Sequence, residues 1–182
     1  MKQLRILGIC GSLRIGSSNR ALLTAASKMM PEKTSLVICD GIGDLPLFRP
    51  DIGDSTPQRV LDFRSELAMA DAVVIASPEY AHGITGALKN ALDWVVASGE
   101  FSGRPVAVLN ASLQSFHAHE SLVEILRTMD AQVIPAASLR IPLPGNRITA
   151  EEICADPLLS GLLKTALEIV VVARAKTPGT IH

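Results

Sequence analysis

Short apolar runs alternate with amphipathic helical stretches along the whole of this sequence. Leu4 to Cys10, Ser35 to Cys39, Asp71 to Ala76, Pro105 to Leu109 and Gln132 to Ile134 are mostly apolar runs of strand length. Runs of this kind suit strands buried on both faces. Between them, apolar residues recur at helical spacing. Asn19 to Met30 carries Leu22, Leu23, Ala26, Met29 and Met30 on one stripe, and later stripes run through Val60, Phe63, Leu67 and Ala70, then Ile84, Leu88, Leu92 and Val95. Leu122, Ile125, Leu126 and Met129 mark a fourth helix, and Leu159, Leu162, Leu163, Ala166 and Val170 a fifth. Thr56-Pro57 and Asp156-Pro157 read as a capping residue followed by Pro at the first helical position. Leu139 to Ile153, with Pro142, Pro144 and Gly145, has no pattern that assigns it.

Strict alternation of strand and helix leaves few topologies. Each right-handed crossover lays a helix against the sheet, so the strands run parallel and both faces are covered. The expectation is one α/β domain over residues 1–182, a three-layer sandwich around a five-stranded parallel sheet in order 2-1-3-4-5. Ligands of such a sheet bind beyond the carboxyl ends of the strands, where the strand order reverses. In this order that point lies between the first and third strands.

The two most unusual loops follow those two strands. The first, Gly11 to Arg20, reads GSLRIGSSNR. Free backbone N–H groups at a helix start, surrounded by hydroxyls and Arg14, make a phosphate site. Asn19 is expected to cap the helix; a plain capped turn is the alternative. Gly11 and Gly16 have P-loop spacing, but Ser17 stands where the lysine belongs, and GxGxxG is missing. A lone monophosphate fits the loop better than a pyrophosphate or a triphosphate. The second loop, Ser77 to Gly86, reads SPEYAHGITG. Its irregular backbone can read the edge of a flat heterocycle, and Tyr80, the single tyrosine, either contacts the ring or fills a gap. His82 is a hydrogen-bond donor, a proton source or an ordinary loop histidine.

GSLRxGSxNR after the first strand and SPEY followed by GALKNALDW after the third resemble the NADPH-dependent FMN reductase family, which includes quinone and chromate reductases. The resemblance runs from Leu4 to Ala111 and implies a flavodoxin-like fold, bound FMN, and NADPH or NADH as hydride donor. It implies that Ser12, Arg14, Ser17 and Asn19 hold the FMN phosphate. Pro78, Glu79, Tyr80, Ala81 and His82 would line the isoalloxazine, and Ser112 would be a further flavin contact. Ala81 stands where many members have Asn, and Thr85 where many have Pro. Gln114 to His119 (QSFHAH) lacks the family's frequent Gly-rich turn. The implied function is passage of hydride from NAD(P)H through FMN to a quinone, a free flavin, chromate or a similar electrophile. The flavin performs that chemistry, and no protein nucleophile or general base is required.

Charge and composition narrow the alternatives. A net charge of −1 gives no field for nucleic acid or an anionic membrane. It also weighs against a non-enzymatic FMN carrier, the main rival, whose acidic face would meet a protein partner. No apolar run approaches the roughly 20 residues that cross a bilayer. Met1-Lys2 leads directly into a strand pattern, and the three cysteines show no CxxC spacing, so a cytoplasmic protein with reduced thiols and no metal site is expected. Trp94 falls off its helix's core stripe, a position suited to packing against a second subunit in a homodimer or homotetramer.

Overall fold

In the computed structural model, which describes residues 3–52, 55–145 and 147–176, five strands form one sheet. They are β1 (Leu4–Cys10), β2 (Thr34–Cys39), β3 (Ala72–Ala76), β4 (Pro105–Leu109) and β5 (Gln132–Val133). The order is β2-β1-β3-β4-β5 and every pairing is parallel. The parallel pairing matches the expectation from the alternating pattern, and the order is the expected 2-1-3-4-5. β5 is brief, and the sheet is prolonged beside it by residues 139–141. There the Asn110 N–H donates to the Leu139 carbonyl (3.0 Å) and the Ile141 N–H to the Asn110 carbonyl (2.7 Å).

Side chains alternate between the two faces of each strand. Leu7, Ile9, Val73, Ile75, Val106 and Val108 face one helical layer. That layer is α2 (Gln58–Ala68), α3 (Gly86–Asp93) and α4 (His117–Thr128), which bring Phe63, Leu67, Leu88, Leu92, Leu122 and Leu126. Ile6, Ala72, Val74, Ala76, Ala107 and Leu109 face the other layer. It comprises α1 (Ser18–Lys28), α5 (Ala150–Ala155) and α6 (Pro157–Lys176), with Leu22, Leu23, Ile153, Leu163, Leu167 and Val170. Among the described residues no helix is long and apolar enough to cross a membrane.

Helix starts follow local chemistry, with corrections to the sequence reading. The Asp156 carboxylate accepts from the N–H groups of Leu158 and Leu159 (2.9 and 3.0 Å), so the Asp-Pro signal is a true cap. At α2 the cap position is Pro57 itself, one residue later than expected, with no side-chain cap. α1 is capped by Ser17, not Asn19. A sixth helix, α5, emerges from the unassigned segment. Thr149 and Glu152 form a reciprocal capping box that stabilises this short turn without a long apolar stripe. Trp94 is buried at 3% exposure. Its indole N–H donates to the Pro46 carbonyl (2.7 Å) and its ring meets Phe48 edge-on at 5.2 Å. The long loop between β2 and α2 therefore covers Trp94, which makes it a core residue and not an interface residue.

Candidate functional site

All five strands end on one edge of the sheet, and the loops leaving β1, β3 and β4 are tied together there. The Thr85 hydroxyl donates to the Gly11 carbonyl at 2.6 Å, joining the first loop to the second. The Asn110 amide donates to the Ser77 carbonyl at 2.8 Å and its oxygen accepts from the Ser112 N–H at 2.9 Å. The Ala111 N–H donates to the Asn19 side-chain oxygen at 3.3 Å, linking the third loop back to α1. Close approach of the first two loops depends on Gly11, because a Cβ there would lie 2.3 Å from the Ser77 Oγ.

A cleft of 690 Å³ opens over these junctions, within the range of about 300–1,000 Å³ usual for small-molecule sites. Asn19, Pro78, Glu79, Ala81, His82 and Ser112, all singled out in the sequence, line it. Ser12, Arg14, Ser17 and Tyr80 are not on its walls. The Ser12 Oγ accepts from the Arg14 N–H at 3.4 Å, and the Arg14 guanidinium donates to the Gly16 carbonyl at 3.2 Å. The Ser17 Oγ accepts from the Arg20 N–H at 3.4 Å as the helix cap. These three residues shape the first loop, and Gly16, at φ +68°, turns it. Tyr80, between the lining residues Glu79 and Ala81, is 56% exposed.

The floor beside α1 has the groups that could hold an anion. Ser17, Ser18 and Asn19 are buried polar residues at a helix start, and the first turn holds no carboxylate. Burial pushes the Cys10 thiol above its ordinary pKa, so no thiolate adds negative charge below this loop.

The second loop carries a tight turn. Tyr80 and Gly83 exchange two backbone hydrogen bonds of 3.0 Å each, and Ala81 and His82 between them have φ +49° and +59°. Positive φ at both central positions is the mark of a type I′ turn, which favours Asn and Gly. An Asn at position 81 would form the same turn. Glu79 serves α4: its carboxylate accepts from the Ala118 N–H at 2.9 Å, at a helix start with no cap of its own. The His82 ring stacks on His117, the first residue of α4, with centroids 4.3 Å apart and planes at 19°.

The QSFHAH stretch is held without a Gly-rich turn. The Arg140 guanidinium lies 3.7 Å above the Phe116 ring and donates to the Leu113 carbonyl at 3.1 Å. Burial, with Arg140 nearby as the second cause, holds His119 below the ordinary imidazole pKa.

Sequence reasoning missed Asn110, Ser18, Gln114, Ser115 and the wall made by Pro142, Leu143 and Gly145. Asn110 was findable: it is a buried amide directly after an all-apolar strand, and buried polar groups need partners. The Pro142–Gly145 wall gave no signal, because its position follows from the pairing of residues 139–141 with Asn110.

The chain is similar to known proteins in both sequence and fold. A family model described as NADPH-dependent FMN reductase matches residues 4–143. An NAD(P)H-dependent FMN reductase of Pseudomonas aeruginosa is 34% identical over 171 residues, covering 91% of this chain and 92% of that protein. A quinone reductase of Pseudomonas putida is 36% identical over 129 residues, 67% of this chain and 69% of that one. Among solved structures, the flavoenzyme NAD(P)H:(acceptor) oxidoreductase FerB of Paracoccus denitrificans superposes with a TM-score of 0.80 at 24% identity, covering 96% of this chain and 98% of that chain.

Proposed function

Because this chain belongs to the NADPH-dependent FMN reductase family, we propose that its cleft holds FMN along the β1, β3 and β4 loops and that its acceptor is a quinone. The chain is an FMN- and NAD(P)H-dependent oxidoreductase; the acceptor and the residue roles are our reading. Free flavin and chromate are the other acceptors to compare. The observation that carries the reading is the Thr85–Gly11, Asn110–Ser77 and Ala111–Asn19 network, which ties together the loops at the switch point beneath the cleft.

The residues present fit FMN. Buried Ser18 and Asn19, at a helix start free of carboxylates, suit a dianionic phosphate, with Ser12, Arg14 and Ser17 shaping the loop that faces it. Pro78, Glu79, Ala81, His82 and Ser112 border the space for a flat ring, and Tyr80 stands exposed between Glu79 and Ala81. FMN supplies the hydride-transfer chemistry when bound. The protein's part is to hold the phosphate, present backbone groups to the ring edge and keep the α4 start in place through Glu79.

In this reading residues 1–182 form one cytoplasmic domain with small-molecule partners only, binding neither nucleic acid nor membrane. A homodimer or homotetramer is also part of it, supported by large apolar side chains left exposed, among them Ile15 (98% exposed) and Leu47 (81%). Titration of FMN into the purified chain, followed by quenching of flavin fluorescence, tests the site. Saturation at micromolar concentration is expected; no saturation there removes the reading.

A further inference from the structure

We propose that His82 delivers the proton a quinone needs in addition to hydride, and that His117 positions the His82 ring for this. The inference rests on the reductase reading above. A quinone becomes a hydroquinone by gaining two electrons and two protons. The hydride equivalent supplied by the reductase reaction carries both electrons and one proton, which leaves a phenolate oxygen. That oxygen takes its proton from an imidazolium nitrogen of His82, and the neutral imidazole regains one from water.

Geometry selects His82 by what surrounds it. Among the described residues lining the cleft, only Glu79 carries a carboxyl group and only His82 an imidazole, the side chains suited to proton transfer. The Glu79 carboxylate is committed to the Ala118 N–H at the start of α4. His82 has no such commitment: it lies at the wall of the cleft yet remains exposed, so water can recharge it. Its placement is also specific. The Tyr80–Gly83 turn holds the His82 backbone at φ +59°, a region that residues with a Cβ rarely occupy. Face-to-face stacking on His117 then fixes the ring plane. Stacked rings do not pass protons between their in-plane nitrogens, so His117 acts by position alone. Other charged and titratable groups near this corner are His119 and Glu120 on α4 and Arg140 beyond β5.

The test uses the FMN-loaded protein and His82→Asn, because Asn tolerates a positive φ and keeps the turn. Benzoquinone takes up protons on reduction, whereas ferricyanide accepts electrons alone. The ratio of benzoquinone to ferricyanide turnover should fall by about a hundredfold in the variant, the scale of a lost proton donor. Free imidazole should restore that ratio in His82→Ala. Binding of pentachlorophenolate, read by flavin absorbance, should weaken about tenfold with loss of the charged donor. His117→Phe, which keeps a stacked ring, should retain the ratio, and His117→Ala should lower it. An unchanged ratio in His82→Asn, or unchanged phenolate affinity, overturns the proton role while leaving the reductase reading intact. If the native protein transfers no electrons from NADPH to either acceptor, the reductase reading itself falls.

Discussion

Arg14 shows what sequence and structure each say about a single residue. Its place in a strand-to-helix loop beside hydroxyls pointed to a phosphate, whereas the folded chain ties its guanidinium to the Gly16 carbonyl. A phosphate reader and a loop brace make different predictions. If Arg14 also meets the phosphate, Arg14→Ala weakens FMN by about ten- to hundredfold, the scale of one charge-assisted hydrogen bond. Riboflavin, which lacks the phosphate, should then bind as before; equal losses for both ligands would make Arg14 a brace only. Cys39 gives a second residue-scale expectation. Burial, reinforced by the Glu66 carboxylate, pushes its thiol pKa from 9.0 up to about 12. The unfolded thiol ionises first, so the folded state binds more protons between those values, and stability falls as pH rises through that window. Urea unfolding across pH 9 to 11 should show a shallower fall in Cys39→Ala; identical slopes would contradict this.

At the scale of elements, the strands and most helices were legible because their apolar periods are long enough to read. Helix starts were less so. Ser17 caps α1 in place of Asn19 because Asn19 is buried inside the first turn, where its side chain accepts from the Ala111 N–H of the loop after β4. Long-range partners of this kind leave no mark on local spacing. Thr85 is the clearest case. In the sequence it was only a departure from the family's Pro, but it caps α3 through the Leu88 N–H and also holds the Gly11 carbonyl. Thr85→Val keeps the shape and removes both bonds. It should lower the unfolding free energy by about 1–3 kcal/mol and weaken FMN binding, with Thr85→Ser close to the native protein in both. Urea denaturation and flavin titration of the two variants decide this, and a Thr85→Val protein as stable as the native one would contradict it.

For the molecule as a whole, the parallel, doubly covered sheet followed from alternation, the flavodoxin-like order agrees with the family resemblance, and the cleft lies where that topology places a ligand. Two features did not follow. The Pro142–Gly145 wall depends on residues 139–141 continuing the sheet beside Asn110. Trp94 is covered by the loop between β2 and α2, which a helical wheel cannot show. The account's central claim is that one cleft holds FMN and lets NAD(P)H and an acceptor use it in turn. An anaerobic visible spectrum of the FMN-loaded protein measures this directly. One equivalent of NADPH should bleach the flavin and one equivalent of benzoquinone should restore it. A bound flavin that stays oxidised with NADPH, or one that NADPH bleaches and benzoquinone does not restore, would contradict the account.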